Sequence, residues 1–124
     1  MKVLLSIKPE YADKIFTGEK KYEYRKSIFK KGNVESILVY STRPVGKIIG
    51  EIFFDEIIVD DPRNIWINTC AVSGISQSSF QEYFSGRESG YAIKINKAVL
   101  FKKPIELIEI INSGKAPQSF CYIK

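Results

Sequence analysis

Histidine is absent from this sequence, so the side chains able to do chemistry are lysines, arginines, carboxylates and hydroxyls. Their densest gathering is Gly18-x-Lys20-x-x-Glu23-x-Arg25, which puts an ammonium, a carboxylate and a guanidinium on one short stretch. Side chains alternate across a strand, so Glu23 and Arg25 share a face about 7 Å apart, given a rise of about 3.3 Å per residue. Lys20 has the opposite parity but stands at the strand's entry, where the chain is still turning and the side chain can lean either way. Arg25 can present its planar fork to a phosphate or a base edge, with Glu23 orienting it or accepting from a base amino group. Lys20 then adds charge inside the site. The same trio also reads as an ion-pair cluster on a sheet face, which stabilises little when exposed. If the site is catalytic, Lys20 and Glu23 carry the reaction, with Lys20 as a base or nucleophile whose pKa burial lowers.

The missing imidazole excludes Ser-His-Asp and Cys-His nucleophile systems and histidine-ligated metalloproteases. Cys70 and Cys121 are too few for a cysteine zinc site. Asp55, Glu56, Asp60 and Asp61 cluster, yet Asp60-Asp61-Pro62 reads as a turn, so neither a metal nor a cofactor is expected.

The net charge of +5 is unevenly distributed. Residues 1–50 hold eleven basic and five acidic side chains, residues 51–90 two and seven, and residues 91–124 six and two. A fold that joins the two ends has one positive face, which attracts polyanions such as nucleic acid. Lysine-rich solubilisation is the other reading of the same charge. Lys8 ends the first strand beside the motif, and Lys21, Lys26, Lys30 and Lys31 extend the basic area. Tyr22, Tyr24 and Tyr40 either stack bases or belong to the core with their hydroxyls at the rim, and Trp66 and Tyr83 share that ambiguity. Ser41, Thr42 and Arg43 edge the expected cleft at a strand end. Gln118 and Ser119 are placed for amide and hydroxyl recognition.

The elements that must position these residues follow from periodicity. Val3 to Ile7 reads as a strand, and Pro9 opens a helix whose Ala12, Ile15 and Phe16 form one apolar face closed by Gly18. Strands are expected from Lys20, over Ser36–Ser41, over Lys47–Val59 with a bend at Gly50, over Gly90–Phe101, and over Gln118–Ile123. Short helices are expected over Pro62–Ala71, after the N-cap Ser76 with its Phe80, Tyr83 and Phe84 face, and over Pro104–Ile111. With 124 residues, the chain fits a single domain spanning 1–124. The pattern implies a mixed α+β fold, a small β-barrel of five to six strands with short peripheral helices. No apolar run suits a signal peptide or membrane span, and the two cysteines suggest no disulfide framework, so a cytoplasmic protein is expected.

The Gly18-x-Lys20-x-x-Glu23-x-Arg25 motif resembles the signature of the ASCH domains, a branch of the PUA-like superfamily, and the order of the surrounding strands and helix is similar along essentially the whole chain. The closing Ala116-Pro117-Gln118-Ser119-Phe120-Cys121-Tyr122 resembles that of short ASCH-like proteins labelled transcriptional regulators. The resemblance implies a PUA-like barrel with a cleft lined by the motif residues, and a role in binding RNA or nucleotides. Some relatives hydrolyse N4-acetylcytidine through the motif lysine, a nearby threonine and a distant glutamate. The lysine corresponds to Lys20, but the threonine position holds Glu23. Others are ribonucleases. Two functions are therefore carried forward. The first is a regulatory module that binds RNA, single-stranded nucleic acid or a nucleotide-like small molecule through Lys8, Lys20, Glu23, Arg25, Tyr40, Ser41, Arg43 and Gln118. The second is a small metal-independent hydrolase acting on RNA or a modified nucleoside.

Overall fold

The computed structural model describes residues 1–123. It has six strands, β1 (Lys2–Ile7), β2 (Tyr22–Arg25), β3 (Ser36–Ser41), β4 (Lys47–Asp60), β5 (Gly90–Ile105) and β6 (Phe120–Ile123). Three helices accompany them: α1 (Pro9–Thr17), α2 (Pro62–Thr69) and α3 (Gln77–Tyr83). All six strands join one curled sheet in the order β2-β5-β4-β3-β1-β6. β1 and β3 run parallel, and the other neighbours are antiparallel. The expected mixed α+β barrel is thus a half-barrel, with β2 and β6 as its two edges.

Alternation sorts the apolar residues of β1 and β3 onto two faces. Val3, Leu5, Ile7, Ile37 and Val39 enter the main core, where Ala12 and Ile15 of α1 plug the concave side. Leu4, Leu38 and Tyr40 face the other way and join Ile48 and Leu107 in a second cluster. With both faces covered, these central strands read as nearly continuous apolar runs. A third cluster forms where α2 and α3 press Ile65, Phe80 and Phe84 onto Tyr24 and Ala92 of β2 and β5.

The bend expected at Gly50 is present: the β4 ladder shifts register between Ile48 and Gly50. A Cβ at Gly50 would lie 2.5 Å from the Phe16 ring and 2.6 Å from the Val99 carbonyl oxygen, so a bare backbone lets α1 approach the sheet. One expectation is corrected. Pro104–Ile111 is not a helix; β5 continues to Ile105, which pairs with Ile48, and only Leu107–Glu109 winds into a 3₁₀ turn. A long partner strand overrides the local pattern there. The last strand also starts at Phe120, leaving Gln118 and Ser119 just outside it.

Among the described residues, no helix is long and apolar enough to cross a membrane. Gly50→Ala should destabilise the fold by about 1–3 kcal/mol through overpacking. The urea midpoint should fall with an unchanged slope, and an unaltered midpoint would show that Phe16 and Val99 do not constrain the bend.

Candidate nucleic-acid interface

The motif residues line a cleft of about 900 Å³ beside α3. It is bordered by the end of β1, the start of α1, β2, and the segment that precedes β6. Lys20, Glu23 and Arg25 are only 3%, 5% and 9% exposed, so an ion-pair cluster on an open surface does not describe them.

Glu23 and Arg25 share a face of β2 as their spacing requires, and Arg25 Nη1 donates to Glu23 Oε2 at 3.1 Å. The same Nη1 donates to the Ser6 carbonyl at 3.3 Å. Nη2 donates to the carbonyl and hydroxyl of Ser119 at 3.2 and 2.8 Å. Arg25 stands on one edge strand, while Ser6 and Ser119 belong to the opposite side of the sheet, beside the other edge. The guanidinium therefore bridges the open seam of the half-barrel. The backbone of Ser6 also donates to the Ser119 carbonyl, and the Ser6 hydroxyl to the Pro117 carbonyl, which fixes the acceptor side.

Lys20 leans towards the parity of Tyr24. Its Nζ lies 4.5 Å from the centre of the Tyr24 ring and 5.5 Å from that of Tyr11, and donates to the Ser73 carbonyl at 2.8 Å. Burial lowers its pKa below the ordinary lysine range, with Glu23 opposing and Lys14 reinforcing that shift. The loop that follows α2 holds the lysine in place. The Lys21 N–H donates to Val72, Lys14 Nζ reaches the Gly74 carbonyl, and Gly74, at φ +65°, lies against the Lys20 side chain. A Cβ at Gly74 would come within 2.5 Å of Lys20 Cβ. Behind the lysine, Tyr24 donates to Thr69, whose hydroxyl donates to the Ile65 carbonyl. Desolvation pushes the Tyr24 phenol up to about 12, so it stays protonated at neutral pH.

Of the other expected residues, Lys8 and Gln118 line the cleft and are exposed at its rim, while Thr42 and Ser119 also border it. Tyr40 is core instead: the parity of β3 turns it with Leu38 into the second cluster. Ser41 is fully buried, its hydroxyl without a hydrogen-bond partner among the described residues, and Arg43 is exposed in the turn beyond β3. Neither is among the cleft's lining residues. Tyr22, Tyr24, Trp66 and Tyr83 all pack in or against the third cluster. Sequence reasoning missed Tyr11, Ser73, Gly74 and Arg87. Arg87, just beyond the Gly86 turn, had a usable signal as one of only two cations in residues 51–90. The remaining three depend on long-range proximity. Among the described residues no group of three or more Cys, Asp or Glu side chains is arranged to hold a metal ion.

A family profile described as the ASCH domain matches residues 5–107. The chain belongs to the ASCH domain family. Among curated relatives, this ASCH protein is 28% identical over 124 residues to an ASCH domain-containing ribonuclease of Zymomonas mobilis, covering 98% of this chain and 83% of that one. It is 31% identical over 123 residues to a Ureaplasma parvum protein named ATP synthase subunit alpha, covering 98% of this chain but 15% of that protein's length. The crystal structure of ASCH from Zymomonas mobilis superposes with a TM-score of 0.91 at 28% identity, covering 99% of this chain and 87% of that one.

Removing the seam's cation should be costly. Arg25→Met leaves Glu23 buried and uncompensated, a loss of about 3–5 kcal/mol. Pairing it with Glu23→Leu should recover part of that loss in urea unfolding. A double variant no more stable than Arg25→Met alone would mean that the pair is not the closing contact.

Proposed function

We propose that the ASCH cleft binds single-stranded RNA, with its phosphates held at the rim and its bases turned inward. The observation that carries this reading is the charge of the lining: Lys8, Lys20, Arg25, Lys26 and Arg87 against Glu23 and Glu82. Lys20 and Arg25 are already engaged inside the protein, which leaves exposed Lys8, Lys26 and Arg87 for phosphate contact. Such contacts are weakened by salt because they release counterions from the strand. Three of them give a slope of log affinity against log salt of about −2 on a single strand. Neutralising the three rim cations together should flatten that slope for a fluorescein-labelled 2′-O-methyl RNA followed by anisotropy. Tight binding with no salt dependence in the native protein would refute the reading.

A second reading, RNA cleavage, is favoured by Lys20 itself and by the likeness to the Zymomonas ribonuclease. A buried lysine of lowered pKa is a usable general base in a chain without histidine. The neutral amine takes the proton of a ribose 2′-hydroxyl as that oxygen attacks the adjacent phosphorus. The bond to the 5′-oxygen breaks, and that oxygen leaves with a proton drawn from water. The products are a 2′,3′-cyclic phosphate and a 5′-hydroxyl end. Because burial lowers the pKa of Lys20, its neutral form appears at lower pH than for a free lysine. The cleavage rate should therefore rise with pH and level off below the ordinary lysine range. Mass spectrometry of RNA incubated in EDTA should show the cyclic phosphate, and 2′-O-methylation should abolish it. Lys20→Arg should remove the pH inflection together with the activity. Binding without any cleavage would reduce the protein to a binding module.

A further inference from the structure

A second groove of about 870 Å³ lies on the far side of α3, between that helix and α2. Resting on the RNA-binding reading above, we propose that this groove seats one nucleobase of the strand whose phosphates lie in the basic cleft, stacked against Trp66.

The partition between the two spaces is α3 itself. Ser79, Glu82 and Tyr83 border the cleft, whereas Gln77, Phe80 and Gln81 border the groove. Arg87, beyond the end of the helix, lines both. A strand held by Arg87 through a phosphate is thus in position to send its neighbouring nucleotide either way around the helix end. The two spaces differ in charge. The cleft has an excess of cations, while the groove sets Arg63 and Arg87 against Asp61 and Glu88 and is balanced. It therefore offers nothing to a second phosphate and suits a neutral, flat, partly apolar group.

The lining has the shape of such a site. Trp66 is half-buried and packs on Phe80 with ring centres 4.9 Å apart, and Phe80 packs on Phe84 at 4.8 Å. Ile67, beside Trp66, is 72% exposed, an apolar side chain left uncovered at the groove's rim. Gln77 and Gln81 lie one turn apart on exposed α3 positions, and each amide offers both a donor and an acceptor to a base edge. Aromatic surface with adaptable amides recognises any base by its π-face and tolerates sequence variation. A second protein copy is a poorer occupant, since a stable interface buries roughly 1,200–2,000 Å² of surface and would have to extend past α3 onto a cleft with an excess of cations.

Trp66 is the sole tryptophan, so emission excited at the red edge of tryptophan absorption, where the seven tyrosines do not absorb, reports this groove. Titration with a fluorescein-free 2′-O-methyl oligoadenylate should quench it as the strand binds. A fully abasic 2′-O-methyl strand should bind with the same salt slope and leave the emission unchanged. Trp66→Ala should weaken the base-bearing strand by about 5- to 150-fold and leave the abasic strand unaffected. Trp66→Phe keeps an aromatic face and should restore most of the affinity, which separates stacking from loss of folding. Anisotropy change with silent Trp66 fluorescence and no effect of Trp66→Ala would overturn the groove site while leaving the cleft reading intact. Absence of any binding would overturn both. Emission that depends on protein concentration without RNA would assign the groove to a second copy and overturn the proposal.

Discussion

The contact on which the molecule depends is the buried pair of Glu23 and Arg25. The sheet is curled but unclosed, and among the described residues its edge strands β2 and β6 do not pair with each other. One guanidinium crosses that gap and holds Ser6 and Ser119 on the far side. Burying a charge is tolerated only when the partner and the remaining donors are satisfied. Glu23 neutralises the cation from its own strand, and the carbonyls and hydroxyl across the seam accept from its Nη1 and Nη2 groups. The motif therefore has an architectural duty before it has a chemical one, and the cleft exists because the seam is bridged by side chains rather than by a ladder.

Lys20 is governed by the same burial but answered differently. Among the described residues no carboxylate pairs with it directly; a carbonyl and two aromatic faces surround it instead. These stabilise the ammonium less than a carboxylate would, and so its pKa moves down. Two cations of one short motif are thereby divided. Arg25 serves as a structural bridge, while burial makes the Lys20 ammonium easier to deprotonate than a free lysine. The outer cations Lys8, Lys26 and Arg87 stay exposed at the rim, Lys26 with its ammonium over the Tyr83 ring, and add positive charge around both.

Much of this was readable in the sequence because it is local. The apolar run of β1, the Ser76 cap, the bend at Gly50 and the short plug of α1 each follow from a few neighbouring residues. The proximity of Glu23 and Arg25 follows from parity. The acceptors of Arg25 do not, since they lie 19 and 94 positions away and depend on how far the sheet curls. Tyr40 illustrates the same limit. Its place in an alternating strand showed that it faces one side, but not whether that side was cleft or core, and the covering turn at Leu107 decided for core. Ser73 and Gly74 left no mark that would connect them with Lys20, because their effect is exerted through backbone position alone.

In a barrel closed by hydrogen bonds, strand number and stagger together fix the bore, and altering it means rebuilding the whole ladder. The seam of this half-barrel obeys no such rule. Its aperture is the span of one arginine side chain, from β2 to its acceptors Ser6 and Ser119. Frame and gauge are thus separate parts. A shorter cation at position 25 would have to draw the two edges together or give up an acceptor across the gap.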